Sequence, residues 1–352
     1  MARVHEHLPG ERPMPALTSL PRPSVARRVA RAMVDAAAAR IGVPLALRRA
    51  LATAPAVSAD LLERPPSGIA ASEILRWDRW HRRSLPRSRH YPWRFTPGRN
   101  ALQWSARRGR VAAREVEIDA LTRLCRREVR ENFRCDARDI RCLWASKSPL
   151  DEITSLDEMA TKRSPELVRE VTPEALRKNM THEVWRGPFS DAGIELDRFG
   201  WDGRLCWRNE GGSHHFAAAR YLAGKLGIPL PVRARLHEYR FDLDAIDELD
   251  ATYRVFLLSD EPRVSLAISD ALRGFGTTFQ LAAMLPPHQK LTALFLPRSL
   301  RRSRQAAEAL ERAGQFDLGR FLLRVGRIER HALGSSHSPV HAIATSPERC
   351  AP

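Results

Sequence analysis

Residues 201–241 constrain the fold more than any other part of the chain, because they combine turn, strand and helix signals most densely. The dipeptide Asp202-Gly203 is typical of a tight turn. Leu205 and Trp207 then alternate with polar residues, which predicts a short, half-buried strand. The stretch therefore opens with a turn that leads into a strand.

The second half of this stretch predicts a helix followed by another strand. Ser213 is a good helix N-cap, and the alanine-rich run after it has high helix propensity. Gly227 is a typical C-terminal glycine, and Pro229 and Pro231 prevent the helix from continuing. Alternating apolar residues from Val232 onward predict the next strand. The predicted order is strand, glycine turn, helix, strand.

A glycine turn that opens a helix is a candidate anion site. Backbone N–H groups in the first turn have no partner within the helix, and the positive end of the helix dipole lies beside them. The predicted phosphate-binding residues are Gly211, Gly212, Ser213, His214 and His215. The same order of elements is also a common structural joint, so spacing alone leaves both interpretations open.

The motif in residues 211–219, Gly-Gly-Ser-His-His-Phe-Ala-Ala-Ala, resembles sequences of two related protein families. It is similar to Gly-Gly-Cys-His-Arg-Tyr-x-Ala of sulfiredoxins and to Gly-Glu-Arg-Arg-x-x-Ala-Ala of ParB-type proteins. The resemblance covers about residues 190–241. It implies a nucleotide-binding fold in which this motif holds phosphates at a helix N-terminus, with ATP or CTP and Mg²⁺ as the expected ligands.

Two positions depart from the family pattern. Ser213 stands where sulfiredoxins have their nucleophilic cysteine, so reduction of a sulfinic acid through a cysteine is not expected. His215 replaces an arginine, and imidazole is mostly neutral near pH 7 and forms no bidentate fork with phosphate. A member of the superfamily that has lost its chemistry and acts as an interaction module is therefore an alternative.

The expected reaction class, if the protein is an enzyme, is phosphoryl transfer or nucleotide hydrolysis. Glu210 directly precedes the glycine turn, where a carboxylate can orient a metal ion or a water molecule. The candidate catalytic residues are Glu210 and Ser213. The alternative for Glu210 is an ordinary solvent-exposed turn residue.

Charge is distributed unevenly along the chain. Residues 1–150 contain 30 Lys or Arg against 14 Asp or Glu, whereas residues 151–352 contain 28 against 27. This asymmetry favours an anionic partner for the N-terminal part, such as nucleic acid, an acidic protein or anionic lipid. The alternative explanation is a coding bias toward arginine, which makes a protein basic without any anionic partner.

Arginine and aromatic residues interleave in residues 76–110. Cationic groups that neutralise phosphates beside rings that stack on bases are typical of nucleic-acid binding. The candidate nucleic-acid-binding residues are Arg79, Arg82, Arg83, Arg87, Trp93 and Arg94. A non-catalytic nucleic-acid-binding protein is thus a second functional hypothesis, and its alternative is a small core filled by the tryptophans.

These elements predict an α+β fold. A small mixed sheet with flanking helices, of ParB and sulfiredoxin type, is expected in the C-terminal half, after a basic N-terminal α/β region. Helices are expected at 111–133 and 279–285, among others. The predicted divisions are a flexible tail (1–24), a basic region (25–150), a ParB/sulfiredoxin-like domain with C-terminal helices (151–333) and a disordered tail (334–352).

The cysteines and the hydropathy favour a cytoplasmic protein. Five cysteines, an odd number without a Cys-x-x-Cys pair, are expected to be reduced thiols: Cys125, Cys135, Cys142, Cys206 and Cys350. Their spacing fits no common zinc site. Because no run of eighteen apolar residues is present, no transmembrane segment is expected.

Overall fold

The computed structural model describes residues 24–63, 66–82, 100–107, 110–181 and 194–335. The predicted flexible tail at residues 1–24 and the predicted disordered tail at residues 334–352 lie almost entirely outside these ranges. The last described helix continues to Ser335.

The described strands form two five-stranded sheets. The strands are β1 (Ala101–Arg107), β2 (Arg110–Val116), β3 (Cys125–Asp136), β4 (Ile140–Leu143), β5 (Ile194–Phe199), β6 (Leu205–Trp207), β7 (Pro231–Phe241), β8 (Tyr253–Ser259), β9 (Phe279–Ala283) and β10 (Leu291–Pro297).

The described residues also form α-helices. They are α1 (Val25–Arg40), α2 (Leu45–Thr53), α3 (Asp60–Glu63), α4 (Asp119–Thr122), α5 (Leu156–Glu158), α6 (Pro173–Met180), α7 (Ser213–Leu226), α8 (Leu243–Thr252), α9 (Pro262–Gly274), α10 (Arg301–Arg312) and α11 (Leu318–Ser335). None of the helices in the described ranges has the length and apolar character needed to span a membrane.

The first sheet is mixed and has the strand order β3-β7-β5-β6-β4. Strands β5 and β6 form an antiparallel hairpin, and α7 then carries the chain back so that β7 lies parallel to β5. One face of α7 is buried against this sheet, where Phe216 and Leu222 pack with Leu196 and Leu236. The predicted order of strand, turn, helix and strand is therefore confirmed.

The second sheet is antiparallel and has the order β2-β1-β9-β10-β8. Its core includes Trp77, Phe295 and Leu322 on one side and Phe256 and Leu310 on the other. Both sheets take strands from before and after residue 150. The fold is α+β as predicted, and its described strands form two sheets with helices.

Two helices expected from the sequence are strands in the structure, so both predictions are wrong. Residues 111–133 form most of β2, the short α4 and most of β3. As an edge strand β3 is largely exposed on both faces, so its charged residues mask the alternation that marks a strand. Residues 279–285 contain β9, whose apolar side chains are buried on both faces and give a continuous run.

The expectation that all cysteines are reduced is also wrong. Cys142 of β4 and Cys206 of β6 form a disulfide, and both residues are fully buried. They face each other because β4 and β6 are parallel neighbours with these two residues in register. Since the residues are 64 positions apart, spacing gave no signal of the pairing. Cys125 and Cys135 are free.

Candidate functional site

The β5–β6 hairpin positions the predicted site. Its turn contains Gly203, at φ 81°, and Asp202, which holds Arg204 through a pair of hydrogen bonds. A side chain at that φ is strained, so glycine suits the turn. The hairpin directs the end of β6 toward the first residue of α7, which is where the sequence predicted the glycine turn.

Asn209 fixes a neighbouring loop over the start of α7. This side chain is buried, and its oxygen accepts hydrogen bonds from the N–H groups of Trp144 and Ala145, both at 3.1 Å. Its amide group donates to the carbonyl oxygens of Ala145, at 2.6 Å, and Gly211, at 3.3 Å. Residues 144–148 are thereby held beside the first turn of the helix.

Gly212, rather than the predicted Ser213, caps α7. Gly212 has φ 70° and ψ 6°, a left-handed conformation that glycine adopts without strain, and its carbonyl accepts from Phe216 N at 2.9 Å. Ser213 is the first helical residue, is 3% exposed, and donates its hydroxyl to Ser146 Oγ at 3.0 Å. The hydroxyl therefore anchors the loop and does not cap the helix.

His214 lies between two serines at the same corner. Its Nε2 is 3.2 Å from Ser148 Oγ, and its Nδ1 contacts Ser164 Oγ. Burial lowers the pKa of His214, the charge of Lys147 lowers it further, and Glu166 opposes both effects. The imidazole is consequently neutral near pH 7 and acts as a hydrogen-bonding group rather than a cation.

The remaining predicted residues lie at the edge of the corner. His215 is half-buried, and its Nδ1 is 2.9 Å from Asn179 Oδ1. Glu210 and Gly211 are exposed. Of the two candidate catalytic residues, Glu210 is open to solvent, whereas the hydroxyl of Ser213 is engaged by Ser146 and has no hydrogen bond to a basic side chain of the described residues.

The corner combines the groups that bind an anion. Aligned peptide dipoles place partial positive charge at the start of α7, and the exposed Lys147 adds a full charge beside it. Among the described residues, no group of three or more His, Cys, Asp or Glu side chains is placed to hold a metal ion. The arrangement suits a phosphate bound by backbone amides and Lys147.

The predicted nucleic-acid-binding region is only partly described. Arg83, Arg87, Trp93 and Arg94 lie outside the described residues, whereas Arg79 and Arg82 are exposed. The rings of Trp77 and Trp80 lie in the core of the antiparallel sheet, 2% and 1% exposed, and are T-shaped to each other. These two rings are therefore unable to stack on bases.

A polar network that the sequence did not suggest lies on the face of the mixed sheet away from α7. Asp197 Oδ2 accepts from Trp144 Nε1 at 2.9 Å and lies 3.2 Å from Arg208 Nε. Its neighbour in register, His237, contacts Glu195 Oε2 at 3.3 Å. The sequence signal that could have revealed this network is the alternation of polar residues along β5 and β7.

The buried members of this network have shifted pKa values. Burial raises the pKa of Asp197, against the opposing charges of Arg208 and Arg76. Burial, together with the nearby Arg127, lowers the pKa of His237. Among the described residues, Asp197 Oδ1 has no hydrogen-bond partner although it is buried. The network ties β5 to its neighbouring strands.

Comparison with known proteins places the site within a family. A family model described as "Family of unknown function (DUF6685)" matches residues 130–335, which include the mixed sheet from within β3 onward and the corner at the start of α7. No curated protein and no solved structure matches the chain.

Proposed function

The chain belongs to this family of unknown function, and we propose that it binds a nucleotide through its phosphates at the first turn of α7. The proposal treats residues 194–241 as a unit of ParB and sulfiredoxin type, in which a hairpin, a glycine turn, a helix and a parallel strand follow one another. The corresponding ligand is ATP or CTP.

The observation that carries the proposal is the geometry of the glycine turn. Gly212 is left-handed and lies directly before a helix of 14 residues, so the chain turns sharply at the start of α7, where the first amides have no partner within the helix. An anion at such a position interacts favourably with the helix dipole, by about 0.3–1 kcal/mol at an exposed site. Lys147 adds to this attraction.

Each residue of the corner has a defined role in the proposal. Gly211, Gly212 and Ser213 contribute backbone groups, Lys147 contributes charge, and His214 and His215 contribute hydrogen bonds. Because the Ser213 hydroxyl is engaged by Ser146, no covalent step is assigned to it. Phosphate hydrolysis or transfer would depend on water oriented by Glu210, the exposed carboxylate beside the turn.

Mg²⁺ fits the proposal only as a companion of the nucleotide. The described residues provide no cluster of carboxylates and imidazoles at the corner, and Glu210 supplies one carboxylate. Magnesium is commonly held by one or two carboxylates together with phosphate oxygens and water. Phosphate oxygens and water would therefore supply most of its ligands here.

Calorimetric titration of the full chain with ATP and with CTP, in the presence of Mg²⁺, tests this function. We expect Gly212→Asp to abolish binding, because it places a negative charge against the phosphates. Gly314→Asp is the matched control, because Gly314 has the same φ of 70° as Gly212. A side chain at Gly314 would meet open space. Lys147→Ala is expected to weaken binding by about fivefold, or ~1 kcal/mol, the value for one charge in contact across water.

Lys225→Ala, which removes an exposed charge near the other end of α7, is the control for Lys147→Ala. The proposal is overturned if neither nucleotide binds at millimolar concentration. It is equally overturned if Gly212→Asp binds as well as Gly314→Asp does.

A further inference from the structure

A second candidate site lies at the opposite end of the β5–β6 hairpin. A cavity of about 660 Å³ is bordered by Ile140 and Leu205, the first residues of β4 and β6, and by the turn at Asp202 and Gly203. The corner at α7 instead follows the last residue of β6. The two sites therefore lie at different ends of the same strand, and binding at the cavity is independent of the function proposed for the corner.

Arginine dominates the charge around this cavity. Its lining contains four arginines, Arg141, Arg198, Arg204 and Arg220, against two acidic residues, Asp139 and Asp202. Asp202 is already paired with Arg204, whose guanidinium also donates to the carbonyl oxygen of Gly68 at 2.8 Å. That pair forms a neutral part of the wall. Arg220 is paired with Asp157, and Arg198 shares the carboxylate of Glu238 with Arg130 and Arg240, so one carboxylate serves three guanidinium groups.

Arg220, from the middle of α7, is the most buried cation of this group. Its side chain is 12% exposed, contacts Asp157 and donates from NH2 to the Arg138 carbonyl oxygen at 3.2 Å. Its Nε is buried and has no hydrogen-bond partner among the described residues. The contacts with Asp157 and Arg138 hold the Arg220 guanidinium in the wall of the cavity.

Arg141 provides the second cation. It is exposed on β4 and makes no ion pair or hydrogen bond with any residue in the described part of the chain. Burial lowers the pKa of Arg220, and the charges of Arg141 and Arg138 lower it further. The guanidinium groups of Arg141 and Arg220 therefore repel each other. An anion between Arg141 and Arg220 would remove this repulsion.

We propose that this cavity binds a small organic molecule carrying a phosphoryl group, held between Arg141 and Arg220. Guanidinium groups match phosphate oxygens with paired, charge-assisted hydrogen bonds. The apolar part of the ligand would contact Ile140, Leu156 and Leu205, which also line the cavity. The volume lies within the range of about 300–1,000 Å³ that is typical of small-molecule sites.

Titration calorimetry of the full chain with ribose 5-phosphate, inorganic phosphate and ribose tests the proposal. We expect the two phosphate compounds to bind and ribose not to bind. Arg141→Gln should weaken both by about tenfold or more, the effect of losing one charged hydrogen-bonding partner. Arg220→Lys keeps the charge beside Asp157 but replaces the planar guanidinium that pairs with phosphate oxygens, so it should weaken both as well.

Two control variants separate this site from general charge effects and from the corner at α7. Arg134→Gln removes an exposed arginine from β3 and should bind ribose 5-phosphate like the unaltered protein. Arg141→Gln should weaken binding by the same factor in Lys147→Ala as in the unaltered protein, because Lys147 lies at the corner and not at the cavity. The proposal is refuted if neither phosphate compound binds at millimolar concentration, if ribose binds as tightly as its phosphate, or if Arg134→Gln and Arg141→Gln weaken binding equally.

Discussion

Removing the disulfide between Cys142 and Cys206 is expected to lower the stability of the protein substantially. The crosslink closes a loop between residues 64 positions apart. Chain-entropy theory gives ~4 kcal/mol at 25 °C for a loop of this size, because the crosslink restricts the unfolded chain. With an unfolding entropy of about 2 cal/mol/K per residue over 352 residues, this corresponds to a fall in Tm of about 6 °C.

The disulfide is removed in two ways, and both should lower Tm by similar amounts. Cys142→Ala with Cys206→Ala removes both sulfurs of the disulfide, so neither position is left with an unpaired thiol. Treatment of the unaltered protein with a reductant breaks the same bond without changing the sequence. Tm is measured by circular dichroism for both, and Cys135→Ala, which alters a free cysteine, is the control.

Thiol counting provides an independent check on the pairing. Of the five cysteines, three should react with a thiol reagent in denaturant without reductant, and all five should react after reduction. If five react before reduction, or if the reductant leaves Tm unchanged, the crosslink does not stabilise the fold by restricting the unfolded chain. Disulfides are rare in a reducing cytosol, so a count of three thiols before reduction would argue against the predicted cytoplasmic location.

Two further predictions concern single residues. Burial raises the pKa of Glu329 to about 7 from 4.5. Its contribution to stability is therefore largest below pH 4.5 and falls by up to about 3 kcal/mol as the pH rises through 7. Urea unfolding at several pH values should show this fall, and the fall should be smaller in Glu329→Gln. Gly212→Ala should cost about 1–2 kcal/mol in the same assay because of the positive φ, and Gly212→Asn should cost less because asparagine tolerates the left-handed region. A flat pH profile in the first case, or equal stability of both variants in the second, contradicts these expectations.

The unit around α7 could be predicted because its signals are local. The turn at Asp202 and Gly203, the glycine before the helix and Gly227 after it each act through their own backbone conformation. The helix also carries its apolar residues at helical spacing, so its buried face follows from the sequence. Local chemistry of this kind does not depend on which elements pack against it.

The misassigned strands show where local signals fail. Strand β3 lies at the edge of its sheet and has solvent on both faces, whereas β9 is covered on both faces. Polar and apolar residues alternate only in a strand with one face in solvent and the other buried, so neither β3 nor β9 shows this alternation. Position within the sheet decided the pattern, and that position depends on pairing with strands far away in the chain.

The arginine-lined cavity was hidden for the same reason. Arg141, Arg204 and Arg220 come from β4, the hairpin and α7, and no motif spans such separations. The disulfide bears on this arrangement, since Cys142 directly follows Arg141 and Cys206 lies two residues after Arg204. The crosslink therefore fixes the separation of the two strands whose first residues border the cavity, whereas Asn209 and its hydrogen bonds hold the corner at α7. Loss of the disulfide should consequently loosen the cavity more than the corner.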